Sequence, residues 1–145
     1  QGLVNTLWSY ATLKHDPGNA LLDVLSAEAT KQVPNFSPQG MANLLWSYAV
    51  LARAPSPELA ARLQGEVAAR AGEFNTQQLA NIFWAYITIA AASLADPPSP
   101  HLLRCFKARL AEMDPTEFSE AELCQLFQVN LSVESRAVGV EVLEG

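Results

Sequence analysis

MANLLWSYAVL at residues 41–51 decides the fold, because the chain repeats it. LVNTLWSYATL stands at 3–13 and LANIFWAYITI at 79–89, so Trp8, Trp46 and Trp84 are spaced 38 and 38 residues apart. Tyr10, Tyr48 and Tyr86 keep that offset, as do Asn5, Asn43 and Asn81. A fourth segment, LCQLFQVNLSV at 123–133, holds the apolar frame but carries Gln128 for Trp and Asn130 for Tyr. Self-similarity at a fixed period of this length is the mark of stacked supersecondary units.

The flanks repeat as well. Phe36-Ser37-Pro38-Gln39 matches Phe74-Asn75-Thr76-Gln77 at 38, and Phe118-Ser119-Glu120-Ala121 follows 44 later. Pro55-Ser56-Pro57 matches Pro98-Ser99-Pro100 at 43, so five of the six extra residues fall within 90–97 and the sixth just before Phe118. Each unit reads as two helices. Helix A is expected over roughly 18–32, 56–71 and 99–113, opened by prolines whose missing N–H costs nothing in a first turn. Helix B is expected over roughly 2–14, 38–53, 76–92 and 120–133, with Ser37, Asn75 and Ser119 as N-caps and Ser119 with Glu122 as a capping box. The predicted fold is all-α, an α-solenoid of stacked helix-turn-helix repeats with a 38-residue period. The repeats fill residues 1–133, and 134–145 form a degenerate or capping segment. The chain opens inside a repeat without an initiator Met, so it is expected to be part of a longer protein.

Helix B is apolar on nearly all sides, which predicts burial. The Phe36/Phe74/Phe118, Leu45/Phe83/Phe127 and Trp8/Trp46/Trp84 columns are therefore read as core rather than as platforms for stacked bases. A fully buried Trp would contribute on the order of 5 kcal/mol from about 200 Å² of hidden surface. Tyr10, Tyr48 and Tyr86 join this structural core. Asn5, Asn43 and Asn81 are read as a hydrogen-bond ladder between repeats or to the backbone, since buried amides must be satisfied.

Columns on helix A vary instead, which suits ligand contact. Asp23 and Ser26 in the first copy, Arg62 and Gln64 in the second, and His101, Arg104 and Lys107 in the third are the candidate ligand-contact residues. The last three form the basic cluster; Arg62 and Arg70, either side of Glu66, form a weaker one. The net charge of −6 and pI near 4.8 run against nucleic-acid binding through overall charge. Cys105 and Cys124 have no zinc or redox spacing and read as buried thiols. His15 and His101 lack ligand spacing, so no metal site and no cofactor are expected. No nucleophile–base, paired-carboxylate or phosphate-loop pattern is present, so the chain is not expected to be an enzyme or to take a small-molecule substrate. No apolar run reaches membrane-spanning length.

FSPQGMANLLWSYA at 36–49 and FNTQQLANIFWAYI at 74–87, with the 38-residue period and a proline-led first helix, resemble the octotricopeptide repeat family. Asp16-Pro17-Gly18-Asn19 departs from that family's double-proline opening. The resemblance covers most of 1–133. It implies a soluble organellar protein, in mitochondrion or chloroplast, that binds organellar mRNA or rRNA and supports maturation, stability or translation, in some cases within an organellar ribosome. It places the RNA-reading positions near the start of helix A. The alternative function is a protein–protein scaffold, with a basic partner such as a ribosomal protein matched to the acidic balance.

Overall fold

Helix placement follows from the caps. The computed structural model describes the backbone of residues 2–136 and the side chains through Gln128; the expected capping segment lies outside the described residues beyond Arg136. Among the described residues there are seven α-helices and no strand: α1 (Gly2–Thr12), α2 (Asn19–Gln32), α3 (Pro38–Val50), α4 (Pro57–Ala69), α5 (Thr76–Ala91), α6 (Pro100–Glu112) and α7 (Glu120–Arg136). Side chains of Ser37, Ser56, Asn75 and Ser99 accept from the backbone N–H three residues on, which fixes the starts of α3 to α6. Pro38, Pro57 and Pro100 sit in the first turns of their helices. Ser119 and Glu122 bond reciprocally at the start of α7, and Asn75 and Gln78 form a second capping box on α5 that the sequence reading missed.

The helices form two rows. α1, α3, α5 and α7 lie side by side in chain order, and α2, α4 and α6 lie against them through a shared core. The first row packs more closely than the second. Buried Ala11, Ala42, Ala49, Ala80 and Ala85 among its larger side chains permit that approach. One continuous core runs from Val4 and Leu7 through Leu44, Leu45 and Leu63 to Phe83, Leu102 and Phe106. Short 3₁₀ turns at Val33–Asn35, Ala71–Glu73 and Pro115–Glu117 deliver Phe36, Phe74 and Phe118 to equivalent places before α3, α5 and α7.

The inserted residues resolve into two features. α5 starts 38 residues after α3 but is 16 residues long against 13, and the remaining two residues lengthen the segment before Pro98. Helices α1, α3 and α5 end alike, with Lys14, Ala52 and Ser93 left-handed at φ 52°, 53° and 58°. The next N–H, of His15, Arg53 or Leu94, reaches back to the carbonyl of Tyr10, Tyr48 or Ile89. These are Schellman ends built without glycine, so the usual sequence signal for them is missing.

Burial corrects the core expected from the sequence. Trp8 is 43% exposed, and Trp46 and Trp84 are only half-buried. The reason is geometric: α3 has neighbours on both flanks and a second row behind it, which leaves one free stripe. Gln39, Asn43, Trp46 and Val50, at i, i+4, i+7 and i+11, occupy it. Tyr48 and Tyr86 are buried, whereas Tyr10 in α1 is half-buried. Asn43 and Asn81 are half-buried and Asn5 is exposed. The amides do bridge helices, but through glutamines: Gln78 donates to Gln39, Gln39 to Asn43, and Gln125 to Asn81. Cys105 is half-buried and Cys124 exposed, against the expectation of two buried thiols. Phe127 is 62% exposed, because among the described residues no helix covers its side of α7.

Candidate nucleic-acid interface

Ion pairing decides which basic residues are available. Arg53 binds Asp16 at 2.8 Å and Asn19; its guanidinium, together with the Gly18 N–H, holds the Asp16 carboxyl below its ordinary value. Arg62 sits 3.8 Å from Glu58, and Lys31 3.2 Å from Glu28. Arg70 pairs with Glu73 and Glu66 and donates to the Phe36 carbonyl at 2.7 Å. Arg109 does the same one unit later, with Glu112 and the Phe74 carbonyl. These last two are clamps on the turn ahead of the neighbouring helix. Arg104 and Lys107, both exposed on α6, have no ion pair among the described residues. His101 lies one turn before Arg104, with its Nε2 3.8 Å from the Cys105 sulfur.

The other candidates divide. Ser26 is buried, 6% exposed, and shares a 2.6 Å hydrogen bond with the Tyr48 hydroxyl, so it is no surface contact and its reading as an RNA residue is corrected. The variability of a helix A column had suggested exposure, but Ser26 faces α3 across the two rows. Asp23 borders a cleft of about 240 Å³ with Asn19 and Arg53. Gln64 accepts from the Ser99 N–H at 3.1 Å, tying α4 to the start of α6. Gln64 and His101 come together at an open groove of about 1110 Å³, bordered also by Ala61, Tyr86 and Leu94. The groove lies where α5 is longer than α3 and where α4 presents Ala60, Ala61 and Gly65. Arg62, Arg104 and Lys107 do not border this groove.

The Tyr48 and Tyr86 phenols differ in the same way. Burial pushes the Tyr48 hydroxyl up, with the Ser26 bond opposing. Gln64 stands where Ser26 would be and is engaged with Ser99, so the buried Tyr86 hydroxyl has no partner among the described residues, and burial alone pushes it up strongly. What the sequence reading missed is the free stripe of α1, α3 and α5. Its signal was present in the repeated Asn and Trp three residues apart, but no charged residue on those helices marked which side faced out.

Among the described residues no helix is long and apolar enough to cross a membrane. No curated protein and no solved structure matches the chain. Over residues 3–71, from α1 to just past the end of α4, the chain matches the family model of the FAST kinase-like protein, subdomain 1.

Proposed function

We propose that the chain is an octotricopeptide-like α-solenoid segment that binds RNA in a mitochondrion or chloroplast. It supports maturation or translation of an organellar mRNA, or stabilises rRNA as part of an organellar ribosome, and carries out no catalysis of its own. The observation that carries this reading is the 38-residue repeat together with the match of residues 3–71 to the FAST kinase-like family, which is associated with RNA-binding helical proteins. Stacking of two-helix units gives long surfaces suited to extended ligands. Arg104 and Lys107 supply phosphate contacts, because no acid neutralises them among the described residues.

The test is RNA affinity of the intact protein against salt. Each single-strand phosphate contact adds about 0.7 to the log–log slope. Arg104→Glu with Lys107→Glu should weaken binding and flatten that slope. Affinity indifferent to salt, or unchanged by the double reversal, overturns the reading. The net charge of −6 supports a second reading, a scaffold for a basic protein; partners retained after nuclease treatment, with no RNA affinity, would select it.

A further inference from the structure

The same place between successive units is nearly closed once and open once. Beside α2 the cleft bordered by Asn19, Leu22, Asp23, Ser26 and Ser56 measures about 240 Å³. One unit later Pro57, Ala60, Ala61, Gln64 and Ser99 align with those five residues and border the groove of about 1110 Å³. Arg53 borders the first cleft and is bonded to Asp16 and Asn19. The longer α5 and the segment after it, with Leu94 and Pro97, border the second.

Side chains open the groove as well as the insertion. Leu22, Ala60 and Leu103 share one column of the repeat, and Ala27, Gly65 and Ala108 share another, so α4 alone has the smaller residue in both. Gly65 lies inside α4, where glycine costs helix stability relative to alanine. A Cβ there would meet nothing within 4 Å, so no close approach within the fold requires it. The space that Gly65 leaves borders the groove.

Two of the less exposed polar groups at the groove have a donor without a partner among the described residues. Gln64 accepts from the Ser99 N–H through Oε1 at 3.1 Å, which leaves its amide N–H₂ unengaged. The Tyr86 hydroxyl is buried and unpaired. Leu45, Pro55, Ile89 and Leu94 make much of the remaining wall apolar, and neither Lys nor Arg borders it. A phosphate would therefore find no cationic partner but His101, with Asp96 nearby. A peptide laid along the groove would bring one donor and one acceptor per residue, more than two donors can satisfy. A compact molecule with a single acceptor group matches them. Largely apolar clefts with a few placed polar groups are the kind that take small molecules.

We propose that this groove binds a compact, uncharged molecule with an apolar body and a carbonyl-type oxygen. The oxygen accepts from the Gln64 amide and the Tyr86 hydroxyl, and the body lies against the space left by Ala60, Ala61 and Gly65. The site is separate from the RNA reading above, whose Arg104 and Lys107 do not border the groove.

The experiment titrates the whole protein with Nile red, which is uncharged and carries a ring carbonyl, and with pyrene, which is apolar and has no acceptor. Nile red emission should shift to the blue and saturate. Gly65→Leu should fill the groove and abolish that signal, with the melting temperature unchanged or raised because a glycine leaves a helix interior. Tyr86→Phe should weaken Nile red about 2- to 12-fold, the worth of one neutral hydrogen bond, and leave pyrene and the thermal melt unchanged. No saturable Nile red signal, or one indifferent to Gly65→Leu, overturns the inference. A signal lost instead in Phe127→Ala would place the dye at the end of the row and also overturn it. Equal loss of both probes in Tyr86→Phe, or of neither, overturns the assigned chemistry. Displacement of Nile red by single-stranded RNA would give the groove to a nucleobase and overturn the proposal while keeping the RNA reading.

Discussion

Phe83 in α5 and Phe127 in α7 occupy the same column of the repeat, yet one is 1% exposed and the other 62%. Phe83 stacks on Phe106 of α6 with centroids 3.5 Å apart, and α5 has helices on both flanks. α7 has α5 on one flank and, among the described residues, nothing on the other. A repeat therefore specifies an adhesive face, and the neighbour decides whether that face contributes to stability. Phe83→Ala should cost about 3–5 kcal/mol in urea unfolding through the cavity it leaves. Phe127→Ala should stay within about 0.5 kcal/mol. Equal losses would erase the contrast between the middle and the end of the row.

A second pair sharpens the same comparison inside the core. Tyr48 has Ser26 as hydroxyl partner; Tyr86, one unit later, has none among the described residues. Tyr48→Phe should destabilise by about 1–2 kcal/mol, because Ser26 then loses its partner in a buried place. Tyr86→Phe removes only an unsatisfied hydroxyl, so thermal melting should show no loss or a small gain. A matching loss at both positions would mean the two copies are equivalent after all.

The smallest effect belongs to α7. Burial pushes the Glu122 carboxyl up, but the Ser119 N–H, the Ser119 side chain and the Thr76 hydroxyl outweigh it, and the net value lies below the ordinary 4.5. A depressed carboxyl contributes stability that is present above the unfolded value and lost as pH falls through the folded one. Melting temperature should therefore hold above about pH 4.5 and fall below it. Glu122→Gln keeps a capping-box residue but removes the charge. It should lose about 0.3–1 kcal/mol at neutral pH and flatten that acid limb. An unchanged limb would show that the Glu122 charge does not contribute to holding the start of α7.

The caps and prolines made most of the helix spans readable, since Ser37, Asn75 and Ser119 act through bonds three residues away. Counting placed the insertion within residues 90–97, whereas the added turn of α5 begins one residue earlier, at 89. The helix ends at Lys14, Ala52 and Ser93 were not readable, because the left-handed residue there is not glycine. The basic candidates divide by the acids one helical turn away from each. Arg62 and Arg70 already stand either side of Glu66 in the sequence, and Glu58, Glu66 and Glu73, one turn away, pair with them. Arg104 and Lys107 have no acid so placed.

The Trp and Asn repeat with which the sequence opens determined by itself that the chain is built from copies of a helix pair and which residues are common to them. Which side of each helix those residues take was left to the tertiary structure. A helix apolar nearly all round carries little directional signal. Only the positions of its neighbours, two beside and one row behind, show that Tyr48 and Tyr86 turn inward while Trp8, Trp46 and Trp84 border the open face.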